Sequence, residues 1–152
     1  MSGSGSEARG DASKRVVVGV DGSESSLRAL RWAARNAELT GSVLEVTTAW
    51  TFPEHAAPLG LIVRVPWQEE LMAQAREALD AIIERELPGC DRARVRGQVI
   101  RGSAAAVLLE ASRDADLLVV GNRGRGAFAE VLLGSVSEHC VRHGLCPVVV
   151  VR

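Results

Sequence analysis

Two hydrophobic rhythms alternate along the chain. KRVVVGV (Lys14 to Val20) is an unbroken β-branched run that stops at Asp21-Gly22-Ser23, as expected of a strand buried on both faces. Ser23 is placed to cap a helix whose apolar positions Leu27, Leu30, Ala34 and Ala37 recur at helical spacing, with Gly41 as its stop. SVLEVTTAW (Ser42 to Trp50) then reads as a second strand. From Trp67 the positions Leu71, Ala75, Ala78, Leu79, Ile82 and Ile83 mark an amphipathic helix, ended by Pro88-Gly89. ARVRGQVIR (Ala93 to Arg101) alternates more than the other strands, which predicts a place nearer a sheet edge; Gly102 ends it. Ser103 is placed to cap a short helix through Ala111, and DADLLVVG (Asp114 to Gly121) returns to the buried-strand pattern. A glycine-rich stretch, a helix through His143 with Gly144 as its stop, and a final strand PVVVV (Pro147 to Val151) complete the order β-α-β-α-β-α-β-α-β.

Strands of this type alternating with helices predict an α/β fold: an open, five-stranded parallel sheet with helices on both faces. Right-handed crossovers leave few topologies, and five strands suit the doubly wound order 3-2-1-4-5. Its direction reverses between strands one and four, where ligands bind beyond the carboxyl ends of such strands. Strand one leaves through VDGS and strand four through GNRGRG, so the two most glycine-rich exits are predicted neighbours. Residues 51 to 66, with three prolines and a glycine, form a predicted loop longer than usual, bracketed by Trp50 and Trp67. Trp67 suits either a lid over a base or the apolar stripe of its own helix.

Composition narrows the classes. The 152 residues suit one domain, predicted over residues 14–152, behind a small, polar, flexible tail at 1–13 that lacks the apolar core of a signal peptide. That favours the cytoplasm. No apolar run approaches the roughly 18 residues needed to span a bilayer, so no membrane association is expected. A net charge of -1 gives no general pull toward nucleic acid. Lys14 is the only lysine, so an anion site in the folded body must use arginine, backbone N–H groups or a metal. Cys90, Cys140 and Cys146 are odd in number and scattered, as reduced thiols are. His139 and His143 flank Cys140 in HCVRH, which is not HExxH and has no further ligand at metal-site spacing. The blander account is histidines placed at a helix C-terminus.

The densest candidate chemistry is GNRGRGAFAEVLLGS, Gly121 to Ser135. A strand running through glycines into a helix presents unpaired N–H groups and a positive dipole end to a phosphate. Gly121, Gly124 and Gly126 permit positive φ or close ligand approach, and Arg123 and Arg125 add charge. Gly134-Ser135 interrupts the helical run AFAEVLL, so the helix should restart there with fresh N–H groups and a hydroxyl. Neither GxxxxGK[ST] nor GxGxxG is present. Asp21 suits a ligand contact at the switch point, or turn and cap chemistry alone.

The complete spacing Gly121-x2-Gly124-x9-Gly134-Ser135 matches the G-x2-G-x9-G-[ST] signature of ATP-binding universal stress proteins, and the chain resembles a single-domain member of that family. The resemblance runs from VVVGVDGS (Val16 to Ser23) to HCVRHGLCPVVVVR (His139 to Arg152). It implies an adenine nucleotide, ATP with Mg²⁺ bridging its phosphates, in the strand one/strand four crevice. Asp21 would meet the ribose beside Gly19 and Val20, and Ala49, after Thr48, would offer backbone groups to the adenine edge. Gly102 would line the pocket. Gly121, Asn122, Arg123, Gly124, Arg125, Gly126, Gly134 and Ser135 would hold ribose and phosphates. Many relatives carry a histidine near the end of strand two, where this chain has Thr47-Thr48. The resemblance also implies a homodimer through the last strand, whose hydrophobic edge needs a partner, and a nucleotide-dependent stress sensor or switch. A slow ATPase on the same fold and a nucleotide-free interaction module are the alternatives. No residue is assigned as catalytic, since no side chain is placed as a clear general base.

Overall fold

The computed structural model describes residues 13–51, 68–124 and 132–152. Most of the tail, nearly all of the long loop, Trp67, Arg125, Gly126 and the start of the AFAEVLL run lie outside the described residues. Five strands, β1 (Arg15–Gly19), β2 (Val43–Trp50), β3 (Val95–Arg101), β4 (Leu117–Gly121) and β5 (Val148–Val151), form one sheet in the order β3-β2-β1-β4-β5. Every pairing is parallel, with Val18 opposite both Val46 and Val119, and Thr47 between Gly19 and Gln98. This is the doubly wound topology the sequence pattern predicts. β3 is an edge strand, as its alternation suggests.

Period-two alternation in β1, β2 and β4 distributes the core between two faces. Val16, Val18, Val46 and Val119 pack against α1 (Glu24–Thr40) and α2 (Gln68–Glu86). Val17, Leu118 and Val120 pack against Leu108 of α3 (Ala104–Ala111) and Cys140 of α4 (Ser135–His143). Of the predicted α2 stripe only Leu79 and Ile83 are buried, because α2 lies over the edge strand, where Ile83 Cδ1 would stand 3.1 Å from a Cβ on Gly97.

The helix boundaries have local causes. Ser23 Oγ accepts from Ser26 N at 3.2 Å, and Gly41 ends α1 in the left-handed region at φ 66°. Ser103 occupies the N-cap of α3, but its side chain makes no capping bond. Gly144 ends α4 with φ -62° and ψ 137°, not in the left-handed stop that a terminal glycine suggests. Glycine is needed there for room: a Cβ would lie 2.8 Å from Cys140 O and 2.8 Å from Val148 Cγ2.

Candidate functional site

At the carboxyl ends of β1 and β4 a crevice of ≈ 90 Å³ opens beneath the first turn of α3. Its lining includes Gly19, Val20, Asp21, Ala49, Gly121, Arg123 and Gly124, seven residues the sequence analysis names. A whole nucleotide needs several times that volume, so the described walls form only the deep end of such a pocket. Two larger hollows lie elsewhere. One of ≈ 460 Å³, beside the amino ends of β2 and β3, is bordered by Arg31 and Glu86, which pair with each other. The other, ≈ 570 Å³, lies beside α3 over β2 and β3. Of these three hollows in the described residues, only the crevice combines the switch point with converging polar groups.

The exit of β1 is a tight turn. Asp21 Oδ1 accepts from Ser23 N at 2.9 Å, Asp21 N donates to Ser26 Oγ at 3.3 Å, and Gly22 takes φ 83°. Turn chemistry therefore uses one carboxylate oxygen of this exposed residue. The other faces across the switch point, since a Cβ on Gly124 would lie 2.9 Å from Asp21 Oδ2. Val20 N donates to Thr47 O and Thr48 Oγ1 donates to Val20 O, both at 2.9 Å, tying the exits of β1 and β2 together.

The exit of β4 is built on close approach. Gly121 and Gly124 are not in the positive-φ region, so proximity explains these glycines. Asn122 is turned inward, its Oδ1 accepting from Ser25 Oγ at 2.8 Å, and its carbonyl receives Gly134 N at 2.7 Å. That second bond sets the start of α4 against the end of β4. A helix starts at Ser135, as predicted, with Gly134 as its N-cap, φ -68° and ψ 163°. Gly134 carries no side chain to satisfy the first amides. Ser135 is exposed, whereas Ser137 is buried and donates to Gly121 O. Arg123, which lines the crevice, contributes a buried Nε with no hydrogen-bond partner among the described residues.

Gly102 lies elsewhere on the same sheet edge. Its N–H donates to Trp50 O at 2.9 Å, it takes φ 146°, and it lines the β2/β3 hollow, not the crevice. Ser26, Thr47, Ala104, Leu108, Val120, Val136 and Ser137 complete the crevice wall. Sequence reasoning did not assign these; Thr47 alone carried a signal, as a departure from a family position. Away from the site, the His139 and His143 rings tilt against each other with centroids 4.4 Å apart while Cys140 is buried. Among the described residues no three His, Cys, Asp or Glu side chains are grouped to hold a metal. Nor is any helix among them long and apolar enough to cross a membrane.

The fold, the switch-point crevice and the glycine exits fall within residues 12–152, which match the family model described as "Universal stress protein family". The chain belongs to that family. Universal stress protein Rv2623 of Mycobacterium tuberculosis is 33% identical over 151 residues, covering 94% of this chain and 49% of its own length. The chain thus spans about half the length of the mycobacterial relatives it matches. Universal stress protein UspA from Lactobacillus plantarum superimposes with a TM-score of 0.76 at 22% identity, over 91% of this chain and 97% of that one. A universal stress protein solved in complex with cAMP is 32% identical, with a TM-score of 0.62 over 91% of this chain and 96% of its own.

Proposed function

We propose that this universal stress protein binds an adenine nucleotide, ATP with Mg²⁺, in the β1/β4 crevice and acts as a nucleotide-dependent sensor or switch in a stress response. One observation carries the reading. Asp21 Oδ2, the glycine-capped start of α4 and the buried Nε of Arg123, which has no hydrogen-bond partner among the described residues, border the same switch point. Oppositely charged and amide donors beside a carboxylate suit phosphate on one side and ribose hydroxyls on the other. The 32%-identical relative solved with cAMP supports the ligand class.

In this reading Asp21 takes the ribose, and Gly19, Val20 and Ala49 border the base. Gly121, Asn122, Arg123, Gly124, Gly134 and Ser135 hold ribose and phosphates. Mg²⁺, when bound, would neutralise charge on the phosphates that these residues hold. Gly102 borders the neighbouring hollow, so its part in the reading is to shape the β3 exit. Arg125 and Gly126 retain the phosphate role the family signature implies.

The same proposal includes a cytoplasmic homodimer through β5. That strand occupies the sheet edge opposite β3, its four valines are only partly buried, and Val141 and Leu145 nearby are exposed. Isothermal titration of ATP·Mg²⁺ into nucleotide-stripped protein tests the ligand, with a folded Gly124→Val/Gly134→Val variant as control. Saturable binding lost in the variant supports the reading, and no binding to folded wild type overturns it. Light scattering on Val150→Lys tests the dimer, which should dissociate.

A further inference from the structure

A line of hydrogen-bonded side chains crosses β2 and β3 on the face that α3 covers, and ends at the crevice. Arg15 Nε and Nη2 donate to the two oxygens of Glu45 at 3.0 and 2.8 Å, and Nη2 also reaches Ala111 O at 3.1 Å. Gln98 Nε2 stands 3.5 Å from Glu45 Oε2 and 3.2 Å from Thr47 Oγ1. Electrostatics fixes which way this amide points: turned over, Gln98 Oε1 would face the carboxylate. Nε2 is therefore the donor to both neighbours, and Thr47 Oγ1 accepts.

Thr47 then holds a proton it must give elsewhere. Among the described residues the hydroxyl has no acceptor, whereas that of the adjacent Thr48 donates to Val20 O at 2.9 Å. Thr47 is only 1% exposed, so an acceptor for it has to come from within the crevice it lines. It lines the crevice beside Gly19, Val20, Ala49 and Leu108, a largely apolar surround. The ribose and phosphate groups of the proposed ligand have their partners at Asp21, Arg123 and the start of α4. What remains for the apolar end is the flat ring of the base.

We infer that Thr47 is the crevice's hydrogen-bond donor to a ring nitrogen of the purine base, and that Gln98, held by the Arg15–Glu45 pair, is the positioning residue that aims it. This rests on the nucleotide-binding reading above. Thr47 and Gln98 are brought together by strand register, since they are directly paired across β2 and β3. The arrangement gives the site a built-in preference: a ring lacking nitrogen at the contacted position leaves a buried hydroxyl unpaired.

The test is titration of wild type, Thr47→Val, Thr47→Ser and Gln98→Met with ATP and its 1-deaza, 3-deaza and 7-deaza analogues. Wild type should bind one analogue roughly 3- to 10-fold more weakly than ATP, the range of one net hydrogen bond. Thr47→Val should bind ATP and that analogue equally, Thr47→Ser should keep the discrimination, and Gln98→Met should shrink it. Equal wild-type affinity for all three analogues and ATP overturns the inference, as does undiminished discrimination in Thr47→Val. If Thr47→Val does not fold, the wild-type series and Gln98→Met decide. Failure of wild type to bind ATP at all overturns the nucleotide reading itself, which separates the two outcomes.

Discussion

A Cβ at position 121 would lie 2.5 Å from Ser25 Oγ and 2.8 Å from the Ser25 carbonyl carbon, so the end of β4 is pressed against the first turn of α1. The hydroxyl can rotate away, but the α1 backbone cannot, because Ser25 sits in a turn fixed by the Ser23 cap. Gly121→Ala should therefore lose about 1–3 kcal/mol through overpacking. The added Ser25→Ala change should not restore it, because the backbone clash remains. Chemical denaturation of the two variants decides; a Gly121→Ala midpoint equal to wild type contradicts the contact.

Gly134 presents the opposite case. Its φ of -68° suits any residue, and a Cβ would meet Arg123 Cα and Asn122 O at an ordinary 3.5 Å. Gly134→Asp would cap the open amides of α4, raising stability by a few tenths to about 1 kcal/mol. The same carboxylate would occupy the proposed phosphate position, so ATP affinity should fall by about tenfold or more. Thermal melting and titration on one preparation check both signs. An Asp variant that binds ATP normally would remove α4 from the phosphate site.

The Arg15–Glu45 fork joins a half-buried cation to a nearly buried carboxylate, with side-chain exposures of 33% and 12%. The hydrogen bond to Glu45 is the main reason the Arg15 guanidinium holds its proton more tightly than usual, against the opposing effect of burial. Removing one partner strands the other. Glu45→Leu should cost about 1–3 kcal/mol, softened by water reaching Arg15, and Arg15→Met/Glu45→Leu should recover much of it. A double-mutant denaturation cycle measures this coupling; additive losses would show that the pair contributes nothing as a unit.

The fold was legible because its strands are valine-rich runs and its first helix is bracketed by Ser23 and Gly41, signals that act within a few residues. The start of α4 at Gly134-Ser135 was legible for the same reason. Contacts set by register were not. Gln98 reaches Thr47 and Glu45 only once β3 pairs with β2, although the Glu inside VLEV hinted at a partnered buried charge. Gly121 and Gly144 look like residues chosen for backbone freedom, yet the room around them depends on Ser25 and Val148, which sequence spacing does not place. Gly102 sat at a strand exit as expected, but β2 and β1 separate β3 from β4, which sets it apart from the crevice.

The fully buried Cys140 gives the protein an alkaline sensitivity. Burial pushes its thiol from 9.0 up to about 11, because the thiolate would lose its hydration. Between those values the folded chain keeps a proton that the unfolded chain has released. Stability from this group is therefore complete below about pH 9 and is lost as the pH rises toward about 11, by roughly 2–3 kcal/mol in all. Burial also raises Cys146, with the same sign. The chain has no tyrosine and a single lysine, so few other groups titrate in that window. Urea denaturation at about pH 8 and about pH 10.5 should show wild type losing clearly more stability than Cys140→Ala, even if the variant is weaker at both. Parallel losses in the two proteins would mean that Cys140 does not titrate against the fold.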